Sequence, residues 1–136
     1  MDVREVSSKT GDGFVWDEHN VVTSNHVIGI APAVRVTLVD ADGNSMTHKA
    51  SMRVRNTDKD IAVVKLEGNT TAPAVERALS SELRVGQTAI AIGNPFGLDY
   101  TVTKVIVSGL GRSIGVGAGA GLFNMTQTDA SIYPET

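Results

Sequence analysis

The apolar residues of this chain come in short, β-branched runs cut off by turn residues, and that pattern limits the possible folds more than any other feature. "DIAVVKL" (60–66) is a nearly continuous apolar run of strand length, which predicts a strand buried on both faces. "GQTAIAIGNP" (86–95) is a second run of the same kind. Val34, Val36 and Leu38 alternate with polar neighbours before a "DADGN" turn and a second long extended segment. "GFVW", the turn "DEHN" and "VVTSNHVI" read as a hairpin. In "LDYTVTKVIVSGLG", Tyr100, Val102, Lys104 and Ile106 alternate against Thr101, Thr103, Val105 and Val107. Roughly seven to nine strands with frequent turns predict an all-β barrel or sandwich. The one helical candidate is "AVERALSSEL" (74–83), where a single turn or a loop satisfies the pattern equally well.

Composition narrows the function classes. With 136 residues, 41% apolar and 20% charged, the chain has the balance of one globular domain. A net charge of −3 offers no basic surface for nucleic acid. No apolar run approaches the roughly 18 residues of a membrane helix, and the first residues, "MDVREVSSKTGDG", contain no secretory signal. The absence of cysteine removes disulfides, thiol nucleophiles and most structural zinc sites. The glycine-rich "GVGAGAG" (115–121) lacks the lysine and hydroxyl of a phosphate cradle and reads as a loop between strands. "DADG" (40–43) opens like a calcium loop, but no glutamate follows at the twelfth position, so a plain turn is expected.

Three histidines could carry chemistry. His19 sits in the "DEHN" turn, and His48 lies in a polar extended segment, so both are expected to face solvent. His26 ends a buried-looking strand beside apolar walls. A catalytic imidazole needs an orienting carboxylate on one ring nitrogen and a nucleophile on the other. Asp60, at the entrance of "DIAVVKL", is placed to be such a carboxylate, drawn inward by the apolar run behind it, whereas Asp58 belongs to the solvated loop. Taken singly, each residue also fits a structural role: a core histidine, a strand-entry turn. The order histidine, then aspartate, matches one chain order of serine proteases.

The strings around these two residues carry more information than their order. "GDGFVW…VVTSNHVI", "DKDIAVVKL", "LRVGQTAIAIGNPFGLDYTVT", "VSGLGR" and "QTDASI" together resemble the trypsin-like protease domain of the Deg/HtrA family, nearest to the chloroplast members of plants and algae. The likeness runs from about Gly11 to Pro134. It implies a trypsin-like antiparallel double β-barrel of six-stranded barrels, with an N-terminal segment at 1–10, a complete first barrel at 11–75 and a partial second barrel at 76–136, without a PDZ domain. It assigns His26 as general base and Asp60 as its carboxylate partner. It also places Ser131 and Ile132 in the stretch that lines the substrate pocket.

The nucleophile is where the pattern departs. After "QTDA" the family continues through a proline into Gly-Asn-Ser-Gly-Gly-Pro. Here Pro134 matches the proline, Glu135 takes the glycine place and Thr136 the asparagine place, so the serine would follow Thr136. Lys104 and Val105 stand where the family usually has a small residue followed by glycine, and Ser24 where it often has asparagine. The expectation is therefore a fragment or degenerate member of a serine endopeptidase family, inactive alone. The alternative is a non-catalytic binding or regulatory subunit that associates with related proteases or unfolded polypeptides. The resemblance implies no metal or organic cofactor, unfolded or damaged polypeptides and related Deg subunits as partners, and a chloroplast location. With only about ten residues before the first barrel and no aromatic among them, a trimer is not expected.

Overall fold

In the computed structural model, residues 9–31, 33–93, 100–116 and 120–128 are described. The chain is mostly β, as expected, and its strands form two antiparallel sheets. The first sheet contains β1 (Gly13–Val15), β2 (Asn20–Ser24), β3 (Val34–Val39), β4 (Ser45–Asn56) and β5 (Ile61–Leu66), in the order β1-β2-β5-β4-β3. It curls into a half-barrel. The resemblance implies six strands, and five are present among the described residues. The second sheet has the order β6-β7-β8, with β6 at Thr88–Gly93, β7 at Thr101–Val116 and β8 at Ala120–Thr128.

The first hairpin closes on Asp17. One oxygen of its carboxylate accepts hydrogen bonds from the amides of His19 and Asn20, each at 2.8 Å, and from the Asn20 side-chain amide at 2.9 Å. The His19 amide, followed by the Asn20 side chain, holds this carboxyl below the usual carboxylate range. A depressed value means the stabilisation is complete above the unfolded-state value of about 3.9 and is lost as pH falls through the folded one. The stability difference between the wild type and Asp17→Ala, measured by urea midpoint, is expected to be present at neutral pH and to vanish in acid.

The core lies on the concave face of the first sheet. Val15, Val21, Ile28, Ala62, Val64 and Leu66 are buried there, with Val34, Val36, Leu38, Ala50, Met52 and Ala72 packed against them. The central strand β5 contributes Ala62, Val64 and Leu66 at 0%, 1% and 2% exposure. Its other face is open: Ile61 is 43% exposed, and Val63 lines a groove of about 570 Å³ with Phe14, Trp16, Val22 and Val54. The two-sided burial expected of "DIAVVKL" is thus corrected to one-sided burial, because nothing among the described residues covers the convex face. The guanidinium of Arg77 lies 4.2 Å from the centroid of the Trp16 ring, at the edge of that groove.

His48 also departs from expectation. It is buried at 8% exposure on the concave side of β4, two and four residues before Ala50 and Met52. Its Nδ1 donates to the Glu67 carbonyl oxygen at 3.3 Å. The polar neighbours Thr47 and Lys49 point the other way, as strand alternation requires.

The second sheet presents one covered and one open face. Val105 and Val107 are buried, whereas Ile90, Ile92, Val102 and Ile106 stand 64%, 67%, 66% and 45% exposed. The pairing of Ile92 with Val102 and of Thr88 with Ile106 puts these four on one face. The continuous apolar run "TAIAIG" is therefore one-sided as well. The helical candidate at 74–83 yields only a 3₁₀ turn at Ser80–Glu82. The glycine stretch is partly strand, since Gly115 pairs with Gly121 and Val116 with Ala120. Residues 117–119 lie outside the described residues.

Candidate active site

His26 sits in a one-turn helix, α1 (Asn25–Ile28), that continues directly from β2. The β2–β5 ladder brings Ser24 opposite Ile61, so Asn25 falls opposite Asp60 and His26 follows one residue further on, within reach of the Asp60 side chain. The Asn25 amide donates to the Asp60 carbonyl at 3.1 Å, extending the ladder one step into the helix. Ile28 anchors the helix in the core, and Gly29, at φ +53, ends it by donating its amide to the Asn25 carbonyl at 2.9 Å.

Asp60 comes from the tight turn between β4 and β5. Asn56 closes that turn opposite Ile61, and its side-chain oxygen accepts from the Lys59 amide at 3.0 Å. Asp60 itself adopts φ +55, a left-handed conformation rare outside glycine but tolerated by aspartate. This backbone turns the carboxylate back towards α1. Its two oxygens then serve two donors of one residue. Oδ1 accepts from the His26 amide at 2.8 Å, and Oδ2 pairs with the ring Nδ1 at 2.5 Å.

That grip fixes both the position and the tautomer of the imidazole. With its proton on Nδ1 shared towards Asp60, the ring carries its basic lone pair on Nε2. The pair is less buried than the sequence implied: the side chains of His26 and Asp60 are 56% and 34% exposed. Asp60 sits in the turn rather than in the strand, and the apolar run draws Ala62, not Asp60, into the core. Asp58 is exposed, as expected, and His19 pairs with Glu18 at 3.2 Å in the first hairpin turn, away from the site.

Ser131 and Ile132, the residues the resemblance assigns to substrate contact, lie outside the described residues, as do Glu135 and Thr136. Sequence reasoning missed Asn56, although an asparagine opening "NTDKD" is a recognisable turn signal. It also missed Arg55, whose Nη2 donates to the Gly29 carbonyl at 2.9 Å.

The family model of the trypsin-like peptidase domain matches residues 11–136. The chain belongs to the trypsin-like peptidase family. Within that family its relatives are Deg/HtrA proteases. It is 43% identical to Protease Do-like 1, chloroplastic, of Arabidopsis thaliana over 98% of this chain and 30% of that protein. It is also 43% identical to the periplasmic serine endoprotease DegP of Escherichia coli K12, over 90% of this chain and 25% of that one. The crystal structure of Deg5 superposes with a TM-score of 0.74 at 39% identity, covering 89% of this chain and 62% of that structure. The chain spans less than half the length of the curated Deg/HtrA relatives it matches.

Proposed function

We propose that this chain provides the histidine and aspartate of a Deg/HtrA-type serine endopeptidase that cleaves unfolded or damaged polypeptides. The observation that carries this reading is the two-point grip of Asp60 on the amide and Nδ1 of His26. In such a site Nε2 of His26 takes the proton of a serine hydroxyl as it attacks the peptide carbonyl. The imidazolium then returns that proton to the departing amine, while Asp60 stabilises the charge without itself becoming protonated. The His26 side chain is 56% exposed, which puts the ring at the surface where a polypeptide substrate would arrive.

These 136 residues contain no serine at the family's nucleophile place, which follows Thr136, and Glu135 stands at the glycine whose amide would form half of the oxyanion hole. Loss of a triad nucleophile alone costs on the order of 10⁶ in turnover, and the residual rate normally depends on that hole. The purified 136-residue polypeptide is therefore expected to leave fluorescent casein intact. Hydrolysis that disappears in His26→Ala would overturn this.

Glu135 also favours a second reading, because a carboxylate at the oxyanion glycine would repel the developing negative charge of the reaction. On that reading the chain is a non-catalytic subunit of related proteases. Co-purification with a full-length Deg homologue tests it, and a strictly monomeric chain that binds neither homologue nor unfolded protein would sink it. The chloroplastic names of several relatives support a plastid location, which a fluorescent fusion expressed from the chain's own gene would check.

A further inference from the structure

We propose that Arg55, aimed by a β-bulge in β4, is a positioning residue for His26; this rests on the reading of His26 and Asp60 as the reacting pair. β4 pairs with β5 in register until Met52, which lies opposite Val64; beyond the irregularity Val54 lies opposite Val63 and Arg55 opposite Ala62. Arg53 is the extra residue. Unbroken alternation from Met52 would set Arg55 opposite Ile61, on the convex face. The bulge reverses that parity, as one inserted residue must. Val54 turns outward into the groove, at 57% exposure, and Arg55 turns to the side of the buried Ala62.

On that side lies α1. Its Ile28 packs in the same core cluster as Ala62, and the carbonyl that ends it, Gly29, receives the Arg55 guanidinium at 2.9 Å. A helix of four residues has almost no stability of its own. Asp60 holds its first turn by the Asn25 and His26 amides, and Ile28 holds its buried side. Arg55 supplies the hold at the far end, with a charged donor on a carbonyl at the negative pole of the turn. Without it the helix pivots about Asp60, and the imidazole moves with the helix. The β4–β5 pair thus grips the histidine helix from both ends, with Asp60 on β5's approach and Arg55 on β4.

The test uses the 136-residue chain and two readouts that need no turnover, so failure of the tether is separable from failure of the peptidase reading. One is amide hydrogen exchange at Gly29 and at Ala31, whose amide donates to the Ile28 carbonyl at 3.0 Å, compared with Val64 in the central strand. The other is the downfield proton resonance of His26 Nδ1. Arg55→Gln is expected to speed exchange at Gly29 about fivefold, the order expected for one exposed charge-assisted bond, with Val64 unchanged and the Nδ1 resonance broadened. Arg55→Lys restores both in part, and Arg53→Gln, which alters the neighbouring arginine bonded to Asn20, changes neither. Unchanged exchange and resonance in Arg55→Gln would overturn the proposal. So would equal acceleration at Gly29 and Val64, which marks general destabilisation. If Arg55→Gln loses Val64 protection altogether, Arg55→Lys decides: only faster exchange at Gly29 with Val64 intact supports the tether.

Discussion

Joining residues 1–134 to the serine-bearing remainder of a Deg relative is expected to yield an active endopeptidase, and Asp60→Asn in that chimera to lower turnover about 10⁴-fold. The size of the effect follows from what the two carboxylate oxygens do. Both accept from donors on His26, one from the amide at 2.8 Å and one from Nδ1 at 2.5 Å. An asparagine has one acceptor and one donor, so either orientation sets an N–H against an N–H. The ring escapes by moving its proton to Nε2, the nitrogen that has to accept one. Asparagine also tolerates the left-handed backbone of residue 60, at φ +55, so the substitution changes chemistry with little change in folding. Asp60→Ala removes the grip and adds backbone strain, and should be worse on both counts. The measurement is kcat on a fluorogenic peptide, with urea midpoints as the folding control. A loss of less than tenfold for Asp60→Asn would show that Asp60 does not orient the base.

The second large effect is expected at Ala62. It is fully buried between β2 and β4, and Ile28 of α1 belongs to the same cluster. Its methyl group has no exposed surface in the cluster that Ile28 of the helix joins. Ala62→Leu forces extra methylenes into a packed site, at a cost of about 1–3 kcal/mol. The helix is the most weakly secured neighbour, so the insertion should lift it and part His26 from Asp60. The expected result is a lower urea midpoint together with a weakened His26 Nδ1 proton resonance. Ala62→Gly, which leaves a void instead, should lower the midpoint while retaining the resonance. A leucine variant with the wild-type midpoint would mean that the helix does not rest on residue 62.

The strand pattern read from the sequence follows the observed sheets closely where alternation is clear. Val34, Val36 and Leu38 face the core from β3, and the "DEHN" turn joins β1 to β2. The departures at the continuous apolar runs share one cause. A continuous apolar run such as "IAVV" shows that a strand has two apolar faces, but not whether anything covers the second. Ile61, Ile90 and Ile92 are exposed for that reason. His48 was misread because its sequence neighbours are polar. Its partners at i+2 and i+4, Ala50 and Met52, would have placed it correctly.

The contact between His26 and Asp60 is legible in the sequence because each lies near the end of a strand whose own pattern is strong. Their depth was not. The turn that carries Asp60 is set by Asn56 and a left-handed backbone, and both act beyond the strand pattern. Arg55 was out of reach for a further reason. Which face an arginine takes after a bulge depends on where the partner strand loses register, and no residue type in "SMRVRN" announces it.

The strand order has a kinetic meaning. β3 and β4 are neighbours in sequence and pair as a hairpin, whereas β2 skips both and pairs with β5. His26 and Asp60, 34 positions apart, meet only when that longer loop closes. Closing it takes more chain entropy than closing any of the hairpins β1–β2, β3–β4 or β4–β5. The proton shared by the two side chains is therefore a reporter of a late assembly step, and conditions that stall the docking of β2 on β5 would leave the β1–β2 hairpin and the β3–β4–β5 meander formed, with a histidine and an aspartate that have not yet met.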